Sequence, residues 1–162
     1  MATIMVYTDG ACPNNGEVSA QGGYGALLIN AQGKRLEIAG PLSGHHQTNN
    51  RAELTAAIQG LAALKQPSTV ILTTDSQYVR KGCNEWLTKW KNNGWKTSSR
   101  KPVANDDLWR ELDALLTTHT VEVRWVKGHS GQPENERADA LATLGATGQS
   151  VRRYTRVKPA TA

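Results

Sequence analysis

Two short apolar segments of the chain each end in an aspartate, and this pattern constrains the fold most. Asp9 follows the segment Ile4–Thr8, and Asp75 follows the segment Val70–Thr74. Short apolar runs rich in β-branched residues predict buried strands. Since α/β sheets bind ligands at the carboxyl ends of their strands, both carboxylates are expected at one edge of a sheet.

Two further acids are predicted to lie on helices that pack against this sheet. A helix advances about 100° per residue, so apolar residues at helical spacing define a stripe that faces the sheet. Glu53 borders the stripe of a predicted helix at 50–65, and Asp139 borders that of a predicted helix at 133–144. A carboxylate at such a border points along the sheet rather than into solvent.

Together the four acids predict a metal site, because carboxylates at one place repel one another unless a cation lies among them. Oxygen ligands suit hard divalent ions, so Mg²⁺ is the expected cofactor, with Mn²⁺ as its substitute. Each acid alone has a simpler interpretation. An Asp-Gly pair commonly forms a turn, an Asp-Ser pair can cap a helix, and acids on helices are usually solvated. The combination of all four favours the metal site.

The spacing of apolar segments predicts an α/β fold in one domain, which 162 residues are enough to build. Strands are predicted at 3–8, 23–29, 34–40, 69–74 and 120–126. Helices are predicted at 50–65, 76–82, 84–91, 105–116 and 133–144. The expected architecture is a mixed five-stranded sheet with helices on both faces.

Positive charge is concentrated in two segments, although the formal net charge is only +5. Residues 86–105 contain five Lys and Arg and no acid, and residues 143–162 contain four and no acid. The remainder of the chain is therefore net negative. An acidic centre with basic extensions suits the binding of a polyanion that approaches bound cations.

After Leu144 no helical stripe continues, so residues 145–162 are expected to form a flexible or partly ordered basic tail. This tail is expected to be either solvated or in contact with phosphates.

Three tryptophans lie in the first basic segment. Trp86 and Trp90 are four residues apart and share one face of a helix, with Trp95 beyond them. Aromatic rings among lysines can stack on sugars or bases. The alternative is that they pack the segment onto the protein body, and this is the favoured interpretation for Trp90 and Trp95.

The chain has two cysteines, Cys12 and Cys83, and they do not form a Cys-x-x-Cys pair. The simplest expectation is therefore that the protein works in the reducing cytoplasm. No signal peptide and no apolar run long enough to cross a bilayer is recognised, so no membrane partner is expected.

Six ordered motifs give the chain a specific resemblance. They are Tyr7-Thr8-Asp9-Gly10-Ala11-Cys12, Gly22-Gly23-Tyr24-Gly25, Thr48-Asn49-Asn50-Arg51-Ala52-Glu53-Leu54, Thr74-Asp75-Ser76-Gln77-Tyr78-Val79, Trp125-Val126-Lys127-Gly128-His129-Ser130-Gly131 and Asn135-Glu136-Arg137-Ala138-Asp139. In this order they resemble bacterial ribonuclease HI, the type 1 ribonucleases H. The resemblance runs from about Thr3 to Leu144, which implies a ribonuclease H domain at 1–144 and carries nothing onto the tail.

The resemblance implies an endoribonuclease that hydrolyses the RNA strand of RNA/DNA hybrids with little sequence preference. It implies that Asp9, Glu53, Asp75 and Asp139 hold two divalent ions, and that the products end in a 5′-phosphate and a 3′-hydroxyl. Two such ions can activate water and stabilise the leaving oxygen. His129, in a glycine-flanked segment, is expected to transfer a proton or aid product release, with a smaller effect than the acids.

The resemblance also implies contacts to the substrate. Residues expected to touch the RNA minor groove, where the 2′-hydroxyl is read, are Asn14, Asn15, Asn49, Asn50 and Gln77. Thr48 and Asn105 match a pocket for a phosphate of the DNA strand, with helix capping as the alternative role of both. The segment around Trp86 matches a basic protrusion that grips the DNA strand, although Asn92-Asn93 stand where a more basic turn is typical.

Two other functions are alternatives to a hybrid-specific ribonuclease. A related nuclease that cuts DNA is disfavoured by the settings of Asn49 and Gln77, and a hybrid-binding module without catalysis is disfavoured by the presence of all four acids. A monomer is the default expectation, and the sequence identifies no protein partner.

Overall fold

The computed structural model describes residues 3–15, 21–44, 47–128 and 130–156, and its centre is a mixed sheet. The strands are β1 (Thr3–Ala11), β2 (Gly23–Ile29), β3 (Lys34–Pro41), β4 (Thr69–Thr74), β5 (Thr120–Trp125) and β6 (Val151–Arg156). Their order is β5-β4-β1-β2-β3-β6. β4 runs parallel to β1 and β5, whereas the pairs β1–β2, β2–β3 and β3–β6 are antiparallel.

Within the described ranges, five α-helices accompany the sheet. They are α1 (Asn49–Ala62), α2 (Gln77–Lys81), α3 (Leu87–Asn92), α4 (Asp106–Thr118) and α5 (Pro133–Ala146). A π-helical segment, Gly82–Trp86, joins α2 to α3. The sequence predicted two separate helices with a break near Gly82. The break is instead this looser turn, in which the Leu87 N–H donates to the Gly82 carbonyl.

The helices cover both faces of the sheet, as predicted. Alternate strand residues such as Val6, Ala26 and Leu72 join Leu54 and Leu61 of α1 in the larger core, which also takes in residues of α4. The opposite face carries a smaller cluster, Tyr7, Leu27 and Ala138. Since side chains alternate along a strand, Asp9 shares the α5 face with Tyr7, whereas Gly10 faces α1.

The sheet has six strands where five were predicted. Val151–Arg156, expected to belong to a flexible or partly ordered tail, pair with β3 in a register that sets Arg153 opposite Glu37. The strand was missed because it has five exposed residues and no apolar alternation, so pairing with an otherwise open edge, rather than burial, defines it. Within the described ranges, no helix is long and apolar enough to cross a membrane.

Gly25→Ala is expected to destabilise the protein strongly. A β-carbon at Gly25 would lie 2.5 Å from the Ala138 carbonyl oxygen and the Ala142 nitrogen, so α5 would have to move off β2. We expect urea denaturation to show a loss of about 3 kcal/mol.

The control is Gly44→Ala, where the added carbon meets no atom of the described residues within 4 Å and a φ of +86° opposes the change. A loss of about 1 kcal/mol is expected there. Equal losses in the two variants would show that α5 does not rest closely on β2.

Candidate active site

The carboxylates of Asp9 and Glu53 meet because β1 and α1 approach closely. A β-carbon at Gly10 would overlap backbone atoms of Ala52 and Glu53, so only glycine permits this approach. The position of α1 is fixed at its start, where the Thr48 hydroxyl oxygen accepts a hydrogen bond of 3.1 Å from the Arg51 N–H. This cap sets Glu53 in the second turn of the helix, beside β1.

Asp75 joins this pair through the parallel pairing of β1 and β4. Thr8 and Thr74 are register partners, so the residues that follow them lie side by side at one edge of the sheet. Asp9, Glu53 and Asp75 each offer a carboxylate oxygen, and these oxygens lie within 4.8 Å of one another. The Trp125 indole N–H donates to the Asp75 carbonyl oxygen at 3.0 Å, which anchors the backbone of this residue.

The fourth acid, Asp139, reaches the same place from α5. Its side chain lies close enough to Asp9 to help raise the pKa of that carboxyl group, although Asp139 is not one of the three acids whose oxygens all lie close together. Burial raises the pKa of Asp9 far above its ordinary value, and the charges of Glu53 and Asp75 raise it further. Burial likewise raises the pKa of Glu53, with Asp75 and Asp139 adding to the effect. The protein alone therefore holds these groups at a considerable electrostatic cost.

The residues present fit a divalent cation. Among the described residues, no group donates a hydrogen bond to the buried Glu53 Oε2 atom. Buried acceptors without donors are costly unless a positive charge satisfies them. The acids of the cluster offer only oxygen, which is the ligand type that Mg²⁺ and Mn²⁺ prefer.

The exposed asparagines predicted to contact substrate lie at the rim next to these acids. The Asn15 Oδ1 atom accepts a hydrogen bond of 2.7 Å from the Asn49 N–H, so the loop after β1 is tied to the start of α1. Asn14 and Asn50 are exposed beside them. Gln77 begins α2 two residues after Asp75 and is also exposed. Donors and acceptors thus border the acidic cluster on two sides.

Asn105 is held in a network that the sequence did not predict. Its Oδ1 atom accepts from Arg51 at 3.1 Å and its Nδ2 atom donates to the Tyr78 hydroxyl at 3.0 Å. The capping alternative is correct for Thr48 but wrong for the Asn105 side chain, which makes no capping bond. Arg51 also pairs with Asp107 at 2.8 Å. The only signal for Arg51 was its place in the motif that contains Glu53.

Trp86 and Trp90 form a cluster of four rings with Tyr78 and Trp109. The ring of Trp86 lies 5.9 Å from that of Tyr78 and 5.7 Å from that of Trp90. Trp90 and Trp95 pack against the main core, which confirms the packing interpretation for both. Trp86 is half-buried. The basic residues around it are all exposed, namely Lys89, Lys91, Lys96, Arg100 and Lys101.

His129 lies outside the described residues, but the residue before it passes close to the acids. A β-carbon at Gly128 would lie 2.9 Å from the Asp75 Oδ2 atom. The segment predicted to carry the histidine therefore runs directly beside the acidic cluster up to Gly128.

Asp9→Asn is expected to stabilise the protein when divalent ions are removed with EDTA. The change keeps the size of the side chain and removes one of the repelling carboxylates. We expect the free energy of unfolding at pH 7 to rise by about 1 kcal/mol or more, the equivalent of one pKa unit. A raised pKa in the folded state means that stability is lost as the pH rises from the ordinary aspartate value towards the folded-state pKa of about 11, so the advantage of the variant should grow steadily as the pH rises from about 4.

The same variant should lose most of the stabilisation that Mg²⁺ gives to the wild type, because a ligand stabilises only a fold that binds it. Glu122→Gln, at an exposed acid of β5, is the control and should respond to Mg²⁺ like the wild type. Destabilisation of Asp9→Asn in EDTA would contradict the electrostatic argument.

Comparison with known sequences agrees with this arrangement. The sequence model of the RNase H family matches residues 1–147. A ribonuclease H from Thiobacillus denitrificans is 54% identical over 142 residues, covering 88% of this chain and 92% of that protein. A ribonuclease HI from Neisseria meningitidis serogroup B is 52% identical over 144 residues, covering 89% and 95%.

Solved structures show the same fold. The crystal structure of LC9-RNase H1, a type 1 RNase H with the type 2 active-site motif, has a TM-score of 0.83 at 32% identity and covers 97% of this chain and 78% of its own. The solution structure of the PFV RNase H domain has a TM-score of 0.73 at 27% identity, with coverages of 91% and 96%. The chain therefore belongs to the ribonuclease H family and, by its close relatives, to the bacterial ribonucleases HI.

Proposed function

We propose that this ribonuclease H is an endonuclease that hydrolyses the RNA strand of RNA/DNA hybrids by two-metal-ion catalysis. The products would end in a 5′-phosphate and a 3′-hydroxyl. The observation that carries the proposal is the convergence of carboxylate oxygens of Asp9, Glu53 and Asp75 within 4.8 Å, with Asp139 beside Asp9. Such a buried group of acids is stable at neutral pH when divalent cations share it.

The acids would hold Mg²⁺ as the preferred ion, with Mn²⁺ as a substitute. When bound, the ions supply an activated water and a stabilising charge for the leaving oxygen. The part of the protein is to hold four carboxylates at fixed positions before substrate arrives, so that no reorganisation is needed during the reaction. The buried Glu53 Oε2 atom supports this role, because it lacks a donor within the described part of the chain.

The polar rim would select RNA. Side chains with both donor and acceptor atoms can bond a 2′-hydroxyl, which DNA lacks. Asn14, Asn15, Asn49, Asn50 and Gln77 are exposed beside the acids and would contact the RNA strand. Because such contacts go to sugars and phosphates, they carry little base information, which supports a low sequence preference.

The DNA strand would be held by two other groups. Thr48 and Asn105 would bind one phosphate; one amide hydrogen of Asn105 donates to Tyr78, and the second can donate to a phosphate oxygen. Farther along, Trp86 would stack on the strand while the exposed lysines around it neutralise phosphates. Asn92-Asn93 stand in the turn of this segment, so its grip rests on the flanking charges.

His129 would exchange a proton near the reacting phosphate or help the product to leave. The support is the close approach of Gly128 to Asp75, together with the ability of imidazole to titrate near neutral pH. Loss of this histidine should therefore cost less activity than loss of an acid.

We further propose that residues 1–144 form the catalytic domain, with the residues after it as an addition at the sheet edge, and that the protein is a monomer acting in the cytoplasm. Free cysteines at 12 and 83 support a reducing setting. Light scattering at micromolar concentration tests the monomer, and a dimer mass would refute it.

The function is tested by incubating the protein and Mg²⁺ with an end-labelled RNA/DNA hybrid, beside matched RNA/RNA, DNA/DNA and single-stranded substrates. We expect cleavage of only the RNA of the hybrid. Asp9→Asn should lower the rate by at least about a hundredfold, since it removes a carboxylate on which ion binding depends. Hybrid binding should largely persist in this variant, because it rests on other residues.

Glu122→Gln is the matched control, because Glu122 is an exposed acid on β5 that pairs with Arg124. It should cleave at the wild-type rate. Binding without cleavage by the wild type would identify a hybrid-binding module, and cleavage of DNA would identify a different nuclease specificity. Either result would refute the proposal.

A further inference from the structure

A buried carboxylate outside the acidic cluster, that of Glu37, lies on β3 facing α5. Its side chain is 5% exposed. It accepts two hydrogen bonds from Arg137 of α5, at 2.5 and 3.0 Å, and two from Arg153 of β6, at 3.2 and 2.5 Å. The bonds from Arg137 are the main cause that lowers the pKa of Glu37 to about 2. Glu37 therefore stays charged at neutral pH and holds both guanidinium groups.

Arg137 and Asp139 lie on opposite borders of α5. Ala138 faces the sheet. Arg137 precedes Ala138 and Asp139 follows it, so their side chains point about 100° to either side of the direction of Ala138. Ala138 is fully buried in the smaller core cluster. The border with Asp139 faces the acidic cluster, and the border with Arg137 faces β3 and β6. A rotation of α5 that releases one border must therefore move the other.

The contact beneath α5 is built mainly from small residues. β-carbons at Gly25 and Gly145 would lie within 3 Å of backbone atoms across the contact. The helix residues in this contact are Ala138, Ala142 and one larger side chain, Leu141, all fully buried. This packing fixes the distance between helix and sheet, and the ion pair at the border of α5 adds to what fixes its angle about the helix axis.

We propose that Glu37 is a positioning residue for the metal site, which sets the rotation of α5 through Arg137 and thereby directs Asp139 at Asp9. Arg153 completes the contact, so the strand β6 supports the active site from the far edge of the sheet. This inference rests on the proposed function of the acidic cluster as the place where divalent ions bind.

The size of the effect follows from helix geometry. A side-chain tip lies about 5–6 Å from the helix axis, so a rotation of about 20° moves it by about 2 Å. Metal ligands tolerate displacements of only about 0.2 Å. Even a small rotation of α5 would therefore take the Asp139 carboxylate out of place.

The test is Glu37→Gln, which keeps the shape of the side chain and removes its charge. We expect calorimetric titration without substrate to show Mn²⁺ and Mg²⁺ binding weakened about threefold to tenfold, less than the loss of a direct partner of a ligand would cause. Cleavage of the hybrid should show a lower kcat at limiting Mg²⁺ and an unchanged KM for the hybrid. Raised Mg²⁺ should restore much of the activity, because a higher ion concentration refills a weakened site.

A double variant separates positioning from stability. In an Asp139→Asn background, Glu37→Gln should have no further effect on ion binding, because it acts only through Asp139.

Arg153→Gln changes a half-exposed residue and leaves the pair of Glu37 with Arg137 intact. It should weaken ion binding in the same way but less, and it replaces Glu37→Gln as the test if that variant fails to fold. Arg152→Gln, at the neighbouring exposed position of β6, is the control and should change neither quantity.

Unchanged ion affinity in folded Glu37→Gln and Arg153→Gln would overturn the inference. So would an equal loss of affinity in the Asp139→Asn background, which would reveal a general distortion. Ion binding is measured without substrate, so these outcomes remain distinct from a failure of the wild type to cut the hybrid.

Discussion

Repulsion among buried carboxylates is the constraint on which the rest of the structure depends. Asp9 lies on a strand, Glu53 on a helix and Asp75 just after a second strand, and within the described residues no salt bridge joins these acids to a basic side chain. Folding must therefore supply the energy that holds them, and the large core between α1, α4 and the sheet is its main source. Divalent cations bind the folded protein, in which the acids lie together. Their binding therefore stabilises the fold and offsets the electrostatic cost of the acids.

The surroundings of the cluster divide into contacts that hold the acids and groups that stay free. Gly10, the Thr48 cap and the Trp125 indole fix the backbone beside Asp9, Glu53 and Asp75. The ion network around Glu37 sets α5 on the opposite face. The exposed amides and lysines keep donors and acceptors available in solution. This arrangement combines a rigid, costly centre with an adaptable rim that can follow a nucleic acid backbone.

Sequence reasoning reached the acids because periodicity and strand ends are local signals. The end of β4 and the border positions of Glu53 and Asp139 followed from counting along the chain, whereas β1 continues to Ala11, beyond its predicted end at Thr8, so Asp9 lies within the strand. The contacts made through tertiary structure did not. Arg51 reaches Asn105 and Asp107 across more than fifty residues, and β6 is defined by the edge of β3 rather than by its own residues. The π-helical segment arises where three aromatic side chains pack, which no local propensity reports.

Crystals of the protein soaked in Mn²⁺ and measured at the manganese absorption edge test directly whether divalent cations bind among the buried acids. We expect anomalous density among the carboxylates of Asp9, Glu53 and Asp75, and its loss in crystals of Asp9→Asn. Well-ordered carboxylates without an ion among them, or manganese bound only at other acids, would contradict it.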